Sequence, residues 1–148
     1  MAEFDETSMT APPWEHFPHA ADMGVRGFGT TCAEAFARAA EALSAIICDP
    51  ATIRPQRAVE IRCEASDYEL LLVDWLNALI YEMAVRRMLF SRFELQIDDH
   101  SLYATAYGEP VDRLRHQPAV EVKGATYTEL KVAQGSDGRF VAQCVVDV

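Results

Sequence analysis

The sequence has no long apolar run and no basic segment ahead of one. Its longest apolar stretches fall far short of the ~18 residues that a membrane-spanning helix needs, so we expect no membrane segment. Residues 1–13 are acidic and polar, unlike a secretory signal or an Arg-rich mitochondrial presequence. We predict that they form a flexible N-terminal tail, followed by one domain over residues 14–148.

Cysteine is scarce and lacks the spacing of a metal or redox motif. The four cysteines are Cys32, Cys48, Cys63 and Cys144, and no two of them form a Cys-x-x-Cys pair. Each falls at an apolar position of a helix or strand pattern, which is typical of a buried, reduced thiol. Because reduced thiols are usual in the cytosol, the pattern favours a cytoplasmic protein without disulfides.

Familiar catalytic motifs are also absent. The sequence has no His-Glu-x-x-His motif and no Cys/His set, so a tetrahedral zinc site is not expected. It has no Gly-x-Ser-x-Gly elbow and no Walker loop, and Gly24, Gly27 and Gly29 do not match the Gly-x-Gly-x-x-Gly spacing. A protein that carries out catalysis on its own is therefore disfavoured, and we do not expect an enzyme.

Positive charge is in short supply. The 148 residues include 13 Lys and Arg against 23 Asp and Glu, which gives a formal net charge of −10. A chain of this charge repels a phosphate backbone, so tight direct binding to nucleic acid is not expected. An acidic domain can instead dock on a basic surface, including the basic groove of a protein that itself handles RNA or DNA.

Two helices are predicted from capping signals and apolar spacing. Thr31 and Glu34 form a capping box, and the stripe after them has apolar residues three and four positions apart up to Ile47. Ser66 and Glu69 form a second capping box ahead of the strongest periodic segment in the chain. The apolar face of that segment consists of Leu72, Trp75, Leu76, Leu79 and Met83.

The other periodic segments predict strands. They are residues 14–19, 23–29, 59–63, 93–97, 102–106, 120–122, 127–132 and 140–148, with a turn at 98–101 and a loop at 108–118. Strands that come before, between and after two helices indicate an α+β fold. We expect a mostly antiparallel sheet with the two helices packed on one face.

Two carboxylates at opposite ends of the chain are the first candidates for a site. Asp22 follows the first predicted strand, and Asp147 lies among apolar residues of the last one. Taken singly, Asp22 reads as a turn former and Asp147 as an ordinary exposed strand residue. Taken together, they predict a site for a hard divalent cation, Ca²⁺ or Mg²⁺, because adjacent carboxylates repel unless a cation lies between them.

Two histidines and a lysine are further candidates. His19 lies three residues before Asp22, and His116 lies in the predicted loop. A lone histidine at a strand end is more often a hydrogen-bonded structural residue than a metal ligand, and this interpretation stays open for both. Lys123 lies between an apolar strand residue and a glycine, and an ordinary surface lysine is the competing interpretation.

Motifs spread over residues 14–148 resemble the archease family and mark these residues as an archease-like domain. The six matching motifs, in the order of the family, are His19–Asp22, Thr31–Phe36, the helix motif of Leu71–Leu76 with Leu79–Tyr81, Gly108–Glu109 with His116, Val122–Tyr127 and Asp147–Val148. Each motif alone is weak, but six in one order are specific. Two positions depart from the family: Ala20 replaces its usual threonine, and Gly124 replaces its usual alanine.

The resemblance implies a partner protein. Archeases assist the RtcB-type RNA ligase, which joins RNA ends in tRNA splicing, by promoting its guanylylation by GTP and repeated turnover, and they do not join RNA themselves. Carried over to this sequence, Asp22, Asp147 and Val148 would be ligands of a Ca²⁺-like metal site. Lys123 would be a functional lysine, and His19 and His116 lie in the family's motifs.

Two other functions stay open at this stage. One is a stand-alone, metal-dependent phosphate-ester hydrolase that uses Asp22, Asp147 and a histidine. The other is a general chaperone or binding module in which the cation is only structural. The first predicts turnover of a phosphate ester without a partner, and the second predicts that metal removal lowers stability without affecting the ligase.

Overall fold

A computed structural model describes residues 12–148 of the chain. The predicted N-terminal tail, residues 1–13, therefore lies almost wholly outside the described residues. The described part contains eight strands, three α-helices and a 3-10 turn at Pro50–Thr52. No helix among residues 12–148 is long and apolar enough to cross a membrane.

The elements follow the chain in an order close to the predicted one. The strands are β1 (Trp14–His19), β2 (Asp22–Gly29), β3 (Arg57–Glu64), β4 (Met88–Asp98), β5 (Ser101–Pro110), β6 (Gly124–Ala125), β7 (Lys131–Gln134) and β8 (Phe140–Asp147). The helices are α1 (Cys32–Ile47), α2 (Tyr68–Arg86) and α3 (Arg113–His116).

The strands form two antiparallel sheets. In the larger sheet β1 pairs with β2, β2 pairs with β8, and the opposite edge of β8 pairs with both β6 and β7. The smaller sheet has the order β3-β5-β4. The α+β class and the antiparallel pairing are confirmed, but the strands divide into two sheets where one was expected, because alternation of apolar residues identifies strands without identifying their partners.

Side-chain caps fix the start of each long helix. The Thr31 hydroxyl accepts a hydrogen bond from the Glu34 amide at 3.1 Å, and the Glu34 carboxylate accepts one from the Thr30 amide at 2.6 Å. The second helix is capped by Asp67, whose Oδ1 accepts from the Leu70 amide at 2.8 Å, one residue after the predicted Ser66. A carboxylate there also faces the positive end of the helix dipole.

Both long helices pack between the sheets in one hydrophobic core. The Trp75 side chain on α2 is fully buried, and its indole N–H donates to the carbonyl of Phe36 on α1 at 3.1 Å. Val25 and Cys144 on the large sheet, and Phe90 on the small sheet, belong to the same buried cluster. Because both helices pack between the sheets, they fix the position of one sheet relative to the other.

The predicted loop at 108–118 is ordered structure. β5 continues to Pro110, and α3 follows after Asp112, whose Oδ1 accepts hydrogen bonds from the amides of Leu114 and Arg115. The glycine and prolines of this stretch suggested a loop. The stretch is ordered because Gly108 pairs with Phe90 on β4 and because Asp112 caps α3.

Candidate functional site

The first hairpin places His19 directly opposite Asp22. The β1–β2 register pairs these two residues, so the turn contains only Ala20 and Ala21. Ala20 adopts a left-handed conformation with φ of 52°, which closes the two-residue turn. Asp22 is thus the first residue of β2, and its side chain lies at the end of the sheet.

The register of β2 against β8 brings Asp22 next to Asp147. Met23 pairs with Val146, so the next position along the ladder sets Asp22 opposite Asp147. The amide of Val148 donates to Oδ1 of Asp22 at 3.3 Å, a direct contact between residues 126 positions apart. Residues near the two ends of the domain therefore meet at one end of the large sheet.

Both carboxylates lie on the face of the sheet that points away from the helices. Val146 is fully buried in the core, and alternation along β8 directs Asp147 to the opposite face, where it is exposed. Residues directly opposite in an antiparallel pair share a face, with Cβ atoms about 5 Å apart. Two negative charges at such a distance repel each other and favour a cation between them.

An apolar cover lies beside the two acids on this face. Gly24 pairs with Phe17 on one side and Val145 on the other, and a Cβ added to Gly24 would lie 2.2 Å from the Phe17 ring. The glycine thus lets the ring lie directly on β2. Val145 is only 2% exposed although it lies on the outer face. The carboxylates consequently border an apolar patch formed by Phe17 and Val145.

Lys123 adjoins Asp147 on the other side of β8. The Lys123 amide donates to the Asp147 carbonyl at 2.7 Å, next to the short β6 pairing of Gly124 with Asp147. On α2, Oδ1 of Asn77 accepts from the Ala125 amide at 2.8 Å, which attaches β6 to the helix. The Lys123 side chain is exposed.

The donors at this end of the sheet suit a hard cation. Among residues 12–148, no three His, Cys, Asp or Glu side chains are grouped closely enough to hold a metal. Asp22 and Asp147 lie near each other at this end of the sheet, and the Val148 amide donates to the Asp22 carboxylate. Such oxygen donors, completed by water, fit Mg²⁺ or Ca²⁺ and do not fit tetrahedral zinc. The cation stays a prediction.

His116 belongs to a different cluster. Its side chain is completely buried, and its Nε2 lies 2.8 Å from the Glu109 carboxylate, which is itself 3% exposed. The Asp112 amide donates to Nδ1 of His116 at 2.9 Å, so Nδ1 is the acceptor and Nε2 carries the proton. None of these hydrogen bonds reaches Asp22, Asp147 or Lys123.

The Glu109 carboxylate is fully satisfied by hydrogen bonds. Arg115 donates to both of its oxygens at 2.7 and 3.0 Å, and the amide of Arg54 donates at 2.8 Å. These donors, Arg115 above all, lower the pKa of Glu109 to about 2 despite its burial. Arg115 was not singled out from the sequence. A cue for Arg115 in the sequence was its position six residues after Glu109.

The cysteines take no part in either cluster. All four are free, and burial raises the pKa of Cys32 and of Cys63 to about 11 and that of Cys144 to about 12. Thiols with such pKa values are unreactive at neutral pH.

Fold and site together define a small acidic α+β protein in which Asp22, at the start of β2, and Asp147, at the end of β8, lie at one end of the large sheet. The chain matches the Archease protein family over residues 14–148, and it belongs to that family. Protein archease of Pyrococcus furiosus is 37% identical over 139 residues, covering 91% of this chain and 98% of its own. Protein archease of Methanopyrus kandleri is 38% identical over 140 residues, covering 92% and 99%.

Two solved structures share the fold. Methanobacterium thermoautotrophicum protein 1598 is 32% identical with a TM-score of 0.75, covering 92% of this chain and 99% of its own. A Thermotoga maritima archease, described as a possible chaperone, is 17% identical with a TM-score of 0.56 over 90% and 96%. At that identity the second likeness concerns the fold alone.

Proposed function

We propose that this protein is a cytoplasmic accessory factor that promotes GTP-dependent guanylylation and multiple turnover of an RtcB-type RNA ligase. The observation that carries the proposal is the meeting of β2 and β8 at the end of the large sheet, where Met23 pairs with Val146 and the Val148 amide donates to the Asp22 carboxylate. Membership of the archease family supports it. Under this proposal the protein joins no RNA itself and makes no tight contact with nucleic acid or membrane.

Each residue at the end of the large sheet has a distinct part in this proposal. Asp22, Asp147 and Val148 would hold a divalent cation, which when bound supplies positive charge for a triphosphate. The hydrogen bond from the Val148 amide holds the Asp22 carboxylate against β8. Lys123, fixed to Asp147 through its amide, presents a further positive charge to a phosphate or to an acid of the ligase.

Charge explains how an accessory factor of this kind finds its partner. A GTP-dependent ligase must gather a triphosphate and divalent metal in a basic pocket. The chain's net charge of −10 favours approach to such a pocket, and the half-buried Asp22 and exposed Asp147 lie at the tip that would enter it. His19 lies opposite Asp22 in the register, and we propose that it orients that carboxylate.

The test is a multiple-turnover ligation assay with an RtcB-type ligase and GTP, with and without this protein. We expect Asp22→Asn and Asp147→Asn each to reduce stimulation to the level of the ligase alone. Asp98→Asn is the matched control, because it removes one exposed carboxylate at the far end of the small sheet. Full stimulation by Asp22→Asn or Asp147→Asn would refute the proposal.

The same assay separates the two competing functions. A stand-alone hydrolase would turn over a phosphate ester without the ligase, and that activity would depend on Asp22, Asp147 and His19. A chaperone with a structural cation would lose thermal stability after metal chelation and still stimulate the ligase at low temperature. We expect neither result.

A further inference from the structure

An open apolar groove lies beside the carboxylate tip. It has a volume of about 800 Å³, and its floor is formed by Met88 and Leu89, which are 4% and 5% exposed. One wall is the last part of α2, where Ile80 and Met83 are half-buried at the edge of the core and Ala84 is exposed. A groove with apolar walls and a buried apolar floor is a surface that a partner can fill.

The other wall is formed by residues 120–122, whose backbone is unpaired. Residues 120–122 continue β6 past Asp147, the last residue of β8 that β6 pairs with, so no strand lies beside them. The flanking amides are bonded: Ala119 donates to the Ile47 carbonyl and Lys123 to the Asp147 carbonyl, both at 2.7 Å. Within residues 12–148, the N–H and C=O groups of residues 120–122 make no hydrogen bond. They are free to pair with an added strand.

The residues that line the groove carry a net positive charge, opposite in sign to the net charge of the whole chain. The charged residues that line it are Arg87, Arg113 and a single acid, Glu121, whereas the whole chain carries −10. Leu114, adjacent to Arg113 on α3, is 88% exposed, and Val120 is 41% exposed. Arginines around exposed apolar side chains complement a segment that carries both acidic and apolar residues.

We propose that this groove receives an extended, acidic and apolar segment of the ligase, which adds as a strand to residues 120–122. The inference rests on the proposed function and assigns a second contact to the same partner. Main-chain pairing would supply affinity, and the groove would select apolar side chains at alternate positions. Because Lys123 links this segment to Asp147, the added strand would end beside the carboxylate pair.

The first experiment measures affinity for the ligase by titration calorimetry. Ala84→Glu and Arg113→Glu each add negative charge at an exposed position of the groove, so folding is retained. We expect each to weaken binding at least tenfold, and the double variant to weaken it further. Lys131→Glu is the control, because it reverses one exposed charge on β7 and leaves the groove unchanged.

The outcomes distinguish this inference from the proposed function. If the variants bind as tightly as the unaltered protein, the groove assignment is overturned while ligase stimulation through Asp22 and Asp147 stands. If the unaltered protein does not bind the ligase, both fail. Sedimentation of the protein alone tests a third case. If the unaltered protein is a dimer and the groove variants are monomers, the occupant of the groove is a second copy of the chain, and the inference is wrong.

Hydrogen exchange gives an independent readout of strand addition. In the free protein the amides of residues 120–122 have no acceptor and should exchange fast. In the complex we expect strong protection of alternate amides in this segment, and no change at Lys131. Unchanged exchange at residues 120–122 in a complex shown to be saturated would exclude strand addition.

Discussion

The two carboxylate clusters of this protein differ in how completely their oxygens are hydrogen-bonded. Glu109 is buried and accepts from the backbone and from two side chains, whereas Asp22 accepts one long hydrogen bond of 3.3 Å beside the exposed Asp147. A carboxylate with every lone pair used serves the fold, and a pair with oxygens to spare has room for an added ligand. This contrast separates Glu109 from Asp22 and Asp147, although all three residues belong to the family motifs.

The largest effect on stability is expected at the buried cluster. Glu109→Ala leaves Arg115 and His116 without their partner, and loss of one member of a buried ion pair costs about 3 kcal/mol. Urea unfolding at pH 7 measures this free energy. Glu94→Ala is the matched control, because its ion pair with Arg92 is exposed and should change the free energy of unfolding very little. Equal losses in the two variants would contradict the distinction.

A cation should stabilise the other cluster. Binding to the folded state alone adds about 2.7 kcal/mol at a concentration 100 times the Kd. We expect Mg²⁺ or Ca²⁺ to raise the Tm of the unaltered protein and of Glu109→Gln, with no rise in Asp22→Asn or Asp147→Asn. Calorimetry with and without a chelator checks this. A rise of the same size in all four proteins would place the cation elsewhere.

The stability of the protein at acidic pH should depend on Glu109. Its pKa is lower in the folded state, about 2, than in the unfolded chain, about 4.3. Its stabilising contribution is therefore complete above about pH 4.3 and is lost as the pH falls towards about 2. The difference in unfolding free energy between the unaltered protein and Glu109→Gln should shrink across this window. A difference that stays constant would assign the effect to another group.

The smallest expected effect concerns the hairpin that carries Asp22. Ala20 has a φ of 52°, which costs a residue with a Cβ more than it costs glycine. Because glycine also loses more freedom on folding, the net gain from Ala20→Gly should be about 0.5 kcal/mol. Ala21→Gly is the control and should destabilise, since Ala21 does not have a positive φ. Thermal unfolding distinguishes the two signs.

Local signals in the sequence identified most elements and missed how they assemble. The first helix begins at the predicted cap, because Thr31 and Glu34 act within one turn. The split into two sheets depends on which strands pair, and β8 pairs with β2, more than a hundred residues earlier. Spacing alone gave no information on that pairing.

The candidate site shows the same limit. Asp22 and Asp147 were singled out because a carboxylate among apolar residues needs a partner, and the register supplies the geometry. His116 was grouped with them by motif, but its burial against Glu109 depends on α3 folding back over β5. Lys123 was identified by its motif, whereas the unpaired backbone before it follows only from where β8 ends.

The position of β8 inside the large sheet has a consequence for synthesis of the protein. The small sheet is made from residues 57–110, so its three strands can pair while the ribosome is still translating. The large sheet must wait for residues 140–147, because β8 separates β2 from β6 and β7. Until then the nascent chain exposes the unpaired backbone edge of β2, and a delay at this stage would favour aggregation over folding.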